Sequence, residues 1–158
     1  MVSKEKTEFN VSEVLVDQNV KKRGGEKVAY HLQSENESRQ VTYNELLVMI
    51  NKTGCILRHL GVTFENRVMI LDNDTIEAVA CILGSIKIGA IPFMANTMIN
   101  TNDYEYILND SRANTVIVGQ AYLEKIEPIR NKLKNLKNLV VIGKPGRDAI
   151  SYHELMSN

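Results

Sequence analysis

Four short apolar runs constrain this chain most strongly. Val68–Leu71, Ile91–Met94, Val116–Val118 and Leu139–Ile142 begin 23, 25 and 23 residues apart. Each is apolar throughout rather than alternating, which predicts strands buried on both faces. Helical patterns fill the gaps: Ile76, Val79, Ala80 and Leu83 within 75–88; Tyr104, Ile107 and Leu108 within 102–110; Leu123, Ile126, Ile129 and Leu133 within 121–134. Asp74 with Glu77 is the expected cap of the first helix and Gly89 its stop, while Pro128 should break or restart the last. The spacing is that of a βα unit. The fold class it predicts is α/β, a mainly parallel sheet with helices on both faces and right-handed crossovers.

The residues before the sheet follow a different pattern. Residues 1–9 are polar and unpatterned, the expectation being a disordered lead. Residues 10–43 predict a leading helix and a hairpin. Asn10 and Glu13 form a capping box, Val11, Val14 and Leu15 an apolar stripe, and Gly24-Gly25 a stop. Val28, Tyr30 and Leu32 alternate with Ala29, His31 and Gln33, the period of a half-buried strand, and Arg39–Tyr43 is its return arm. Residues 44–158 are then the α/β unit. Thr42 and Glu45 cap a helix whose core face is Leu46, Leu47, Ile50, Leu57 and Leu60, ended by Gly61. Ser151 and Glu154 form one more box, four residues before the last residue, Asn158. So short a final helix is not stable alone, so the unit is expected to be part of something longer.

Composition excludes several classes. Lys plus Arg and Asp plus Glu number 19 each, so no net field attracts nucleic acid or a membrane surface. No apolar run approaches the ~18 residues of a membrane span, and the first nine residues lack the apolar core of a secretion signal. Cys55 and Cys81 both lie in apolar helical runs, predicting buried free thiols and a cytoplasmic setting.

Several segments together carry a resemblance. Val41-Thr42-Tyr43-Asn44-Glu45-Leu46, Leu60-Gly61-Val62 with Asn66-Arg67-Val68, and Lys87-Ile88-Gly89-Ala90-Ile91-Pro92 followed by Asn96 are similar, in order and spacing, to the opening of adenylate-forming acyl-CoA ligases. Asn102–Ala113, NDYEYILNDSRA, resembles the benzoate-CoA ligase branch in particular. Phe93-Met94 departs from the smaller residues usual there. The resemblance implies an AMP-forming enzyme that joins a carboxylic acid, aryl or short acyl, to ATP and then transfers the acyl group to coenzyme A. It also implies a Ser/Thr/Gly-rich phosphate loop, an acidic Mg²⁺ ligand, a ribose-binding Asp and a catalytic Lys. None of these motifs occurs in residues 1–158. The unit is expected to stop short of the phosphate loop and to be inactive alone. No catalytic or metal residue is assigned within it, and cofactor-binding residues are left open. The alternative is a stand-alone α/β module that binds a nucleotide or a protein without chemistry.

Other candidates have plain structural readings. Gly143-Lys144-Pro145-Gly146 mimics a phosphate loop, but Pro145 removes a donor, predicting a surface turn. His31, His59 and His153 lack partners at metal-ligand spacing. Tyr104 and Tyr106 differ by two, so one should pack in the core. Lys132, Lys134 and Lys137 predict a solvated face, and Gly84 a close helix–sheet approach. The resemblance implies that the leading helix and hairpin pack against later parts of such enzymes, so in this unit alone Val28, Tyr30 and Leu32, with the free arm 39–43, are expected to form an uncovered apolar row that self-associates.

Overall fold

The computed structural model describes residues 9–33 and 38–157. Residues 1–8, 34–37 and 158 lie outside them, and with them most of the lead expected over 1–9. The elements are a π-helical turn, Glu13–Asp17, running into α1 (Gln18–Arg23); the hairpin β1 (Val28–Gln33) and β2 (Ser38–Thr42); α2 (Tyr43–His59); β3 (Arg67–Leu71); α3 (Ile76–Lys87); β4 (Ile91–Met94); α4 (Thr101–Ser111); β5 (Thr115–Gly119); α5 (Leu123–Ile126) between 3₁₀ turns; β6 (Asn138–Ile142); β7 (Ile150–Ser151); and α6 (Tyr152–Ser157). Pro128 lies in the 3₁₀ turn Glu127–Lys132 that ends α5, as its missing N–H requires.

The sheet is wholly parallel, in the order β4-β3-β5-β6-β7. Its fifth strand, β7, is two residues long, too short to give a sequence period. Val68, Ile70, Ile117 and Val140 face α2, α3 and α6, where they meet Leu57, Ala78, Cys81 and Tyr152. Met69, Leu71, Val116, Val118, Leu139 and Val141 face α4, α5 and the turn after it, meeting Tyr104, Leu108, Leu123, Ile126 and Ile129. Helices therefore cover both faces. The chain moves one way from β3 to β4 and back across β3 to β5. The helices of those two crossovers lie on opposite faces, as a shared hand demands.

The edge strand β4 departs from expectation. Ile91 and Met94 are exposed, because among the described residues β4 has β3 on one side and no strand on the other, and helices cover it only in part. The Ile91 and Ala95 N–H groups bond Asn66 O and Ile70 O. Alternation then aims residue 92 outward, where proline removes a donor that would invite another strand.

Two resembling segments are helix stops. Gly61, at φ 80°, and Gly89, at φ 81°, each occupy a left-handed position. Val62 and Ala90 donate back five residues to Leu57 O and Ser85 O, while Gly61 and Gly89 donate to Arg58 O and Ile86 O. These are Schellman motifs that aim the chain into β3 and β4. The α2 box is present: Thr42 Oγ1 accepts from Glu45 N–H, and Glu45 accepts from Thr42 N–H at 2.7 Å. That last bond holds the Glu45 carboxyl below its usual range.

Four local expectations are corrected. Thr75, not Asp74, caps α3, with its Oγ1 accepting from Ala78 N–H at 3.1 Å. At the leading helix, Asn10 Oδ1 accepts from Ser12 N–H, and the wider π turn shifts the phase so that Ser12 and Val16 are buried while Val11 and Leu15 are exposed. Asn10 Nδ2 donates to Ile86 O, and Lys87 Nζ pairs with Asp17 at 2.7 Å, strapping this segment to α3. A Cβ on Gly84 would lie 3.0 Å from Ile50 O, so the close approach is of α3 to α2 rather than to the sheet. A register shift between Val28 and Tyr30 breaks the β1 alternation. Ala29 and Leu32 pack against the cluster of Leu46, Ile50 and Ile76, and Tyr30 alone of that row is exposed.

Candidate functional site

A parallel sheet in this order has its switch point between β3 and β5: the chain leaves β3 toward one face and β5 toward the other, opening a crevice beyond their carboxyl ends. The residues there are Leu71-Asp72-Asn73-Asp74 after β3, Ala95-Asn96-Thr97 after β4 and Gly119-Gln120-Ala121-Tyr122 after β5. On its β4 side, between the loops after β3 and β4, Asp72, Asn73, Asp74, Ala95, Asn96 and Thr97 line an open cleft of about 600 Å³.

Each wall has its own support. Asp72 is nearly buried, and its Oδ2 accepts from Thr75 Oγ1 at 2.7 Å, joining it to the α3 cap. Its other oxygen rests on Gly119, where a Cβ would approach within 2.1 Å; only glycine leaves that room. Tyr122 OH donates to Asn73 Oδ1. Tyr104, in α4, donates from its OH to Asn96 O at 2.6 Å, and burial pushes its phenol above the usual range. Lys125 Nζ donates to Thr97 O at 2.6 Å and to Ile99 O at 3.2 Å.

This cleft offers carboxylates, amides and carbonyls, groups that suit hydroxyl or amino partners. Two carboxylates, with no cation among the described residues that line it, make it unfit for phosphate. The Gly143–Gly146 turn does not supply the lack. Lys144 is exposed, its N–H is committed to Gln120 Oε1 at 3.0 Å, and Pro145 has none. The described residues therefore do not fit a nucleotide triphosphate by themselves. Among them, no three His, Cys, Asp or Glu residues converge as for a metal ion.

A second groove, of about 300 Å³, is more apolar: Tyr30, Leu32, Ile76, Val79, Ile82 and Met94 line most of it. Here the Phe93-Met94 pair shows its consequence. Phe93 packs toward α4, while Met94 stands in the groove, 47% exposed.

Of the remaining sequence candidates, Tyr104 supports the cleft wall through Asn96 O and His31 lines the apolar groove, while the others reach neither. His31, His59 and His153 are all exposed, His31 on the rim of the apolar groove. Tyr104 is fully buried and Tyr106 is 71% exposed, as their spacing predicts. Lys132, Lys134 and Lys137 are solvated, with Lys132 paired to Glu105 at 3.2 Å. Cys81 is buried, but Cys55 is exposed, on the outer face of α2. Sequence reasoning missed Asp72, Asn73, Tyr122 and Lys125. A polar run directly after an apolar strand, Asp72-Asn73-Asp74, was a usable signal; Tyr122 and Lys125 are hidden within a helical pattern.

A family model described as "AMP-binding enzyme" matches residues 16–155. The chain belongs to the AMP-binding enzyme family. Among its relatives is a benzoate–CoA ligase of Thauera aromatica, 33% identical over 90% of this chain and 27% of its own length. Another is a 4-hydroxybenzoate–CoA/benzoate–CoA ligase of Rhodopseudomonas palustris, 30% identical over 86% of this chain and 24% of its own. The fold is similar to that of an anthranilate CoA ligase solved with anthranoyl-AMP, with TM-score 0.84 and 33% identity over 94% of this chain and 28% of that one. A benzoate CoA ligase from Burkholderia xenovorans LB400 gives TM-score 0.79 at 28% identity, over 95% and 28%. The chain thus spans about a quarter of the length of these relatives. Within this AMP-binding fold, most resembling segments turn out to be caps and strand entries, and Asn96 is the one that reaches the cleft.

Proposed function

We propose that residues 1–158 are the amino-terminal part of an ATP-dependent, AMP-forming aryl-CoA ligase of the cytoplasm. Such an enzyme joins an aromatic carboxylate to ATP, forming an acyl-adenylate and pyrophosphate, and passes the acyl group to coenzyme A. The observation that carries this reading is the match to benzoate–CoA ligases along nine-tenths of the chain. The geometry supports it: beside the sheet's switch point the loops after β3 and β4 enclose an open cleft, and that cleft is unsuited to phosphate. ATP, Mg²⁺ and coenzyme A would accordingly be held mainly by residues outside 1–158, with this unit as scaffold and one wall.

A chimera tests the proposal. In the Thauera aromatica enzyme, the matched quarter is replaced by residues 1–158. Benzoate-dependent exchange of pyrophosphate into ATP by the chimera supports the reading. A folded chimera with no exchange for benzoate, hydroxybenzoates or short acids contradicts it.

A further inference from the structure

We infer that Lys125 is a positioning residue for the cleft between the loops after β3 and β4. Its ammonium sits where the chain turns inward after β4, donating to the carbonyls of Thr97 and Ile99 at 2.6 and 3.2 Å. The rings of Tyr104 and Tyr122 lie 6.0 and 5.9 Å from it. An ammonium has three donors on one atom, so it can hold two carbonyls of a tight loop at once, and ring faces attract its charge. Among the described residues no carboxylate forms an ion pair with Lys125. Its hydrogen bonds go to loop backbone, unlike those of the paired lysines 87 and 132.

The two tyrosines extend the clamp. Tyr104 OH donates to Asn96 O, and Tyr122 OH donates to Asn73 Oδ1. Tyr122 and Lys125 thereby tie the loop after β3 and the loop after β4 to the segment after β5, and Tyr104 ties the loop after β4 to α4. Asn73, Asn96 and Thr97, all tied this way, are half of the residues that line the cleft. A wall fixed on its far side keeps its ligand-facing groups in one geometry, so releasing it weakens the binding those groups supply. The catalytic consequence rests on the ligase reading; the clamp itself does not.

Hydrogen exchange on residues 1–158 tests the clamp. In Lys125→Met, the amides of residues 96–100 should exchange about tenfold faster or more, with β3 and β5 unchanged, and Lys125→Arg should restore most of the protection. Exchange that is unchanged, or faster everywhere alike, overturns the clamp. Steady-state kinetics of the chimera with benzoate, ATP and coenzyme A test the consequence. Lys125→Met should raise at least one KM about tenfold while kcat stays within about twofold, with recovery in Lys125→Arg. Equal losses in kcat and kcat/KM overturn the positioning role. A wild-type chimera that is silent counts against the ligase reading, and the exchange experiment still decides the clamp.

Discussion

Cys55 and Cys81 have similar sequence settings and opposite environments. Cys55 is exposed and Cys81 is fully buried, so a thiol reagent should label one cysteine in the folded chain and two after unfolding. Labelling of both in the native state would show that α2 and α3 separate readily. Burial, above all, pushes the Cys81 thiol far above its usual range, and Tyr152 is raised likewise. The unfolded chain therefore releases these protons first. Stability from the neutral thiol is complete below about pH 8.5 and falls by about 1.4 kcal/mol per pH unit above it, with Tyr152 adding its own loss above about pH 10. Melting temperatures from pH 7 to 10.5 check the sign: Cys81→Ala should delay the decline toward pH 10. Superimposable profiles would contradict it. Residue-scale features with a local cause were legible in the sequence, as with the Thr42–Glu45 box and Gly61. The burial of Cys81 but not Cys55 was not, because the face that α2 turns to α3 is set by the close approach at Gly84, 29 residues beyond Cys55.

The strands were the clearest elements. All four apolar runs are strands, because a two-sided sheet leaves no polar position in its centre. Ile117 sits in the middle strand at 1% exposure, so Ile117→Asp should cost several kcal/mol or abolish folding, read by circular dichroism. A native spectrum and melting temperature would mean that the central strand is misplaced. The α2–α3 contact predicts a second effect. Gly84→Val pushes into Ile50 O and Thr53 and should destabilise by about 1–3 kcal/mol, despite valine's better helix propensity. A stabilised variant would contradict that packing. β7 and the π turn were illegible for different reasons. Two residues carry no period, and a π turn changes the period itself.

At the scale of the molecule, the order of the strands places the cleft, and strand order is a long-range property that no local pattern encodes. The sequence therefore revealed the layers but not Asp72, Tyr122 or Lys125 as neighbours. Self-association, expected from the row Val28, Tyr30 and Leu32 on β1, rests now on Tyr30 and Met94 beside the groove, since Val28 and Leu32 are half-buried. Light scattering over a concentration series should show a dimer that Tyr30→Lys weakens; a monomer at all concentrations would remove that proposal. The central claim is that this unit belongs to an adenylate-forming ligase and supplies structure and one wall of the site rather than the phosphate chemistry. Pyrophosphate exchange by residues 1–158 alone tests it most directly, with ATP, Mg²⁺ and a panel of aryl and short acids. The prediction is no exchange above blank for any acid, whereas acid-dependent exchange would contradict the account.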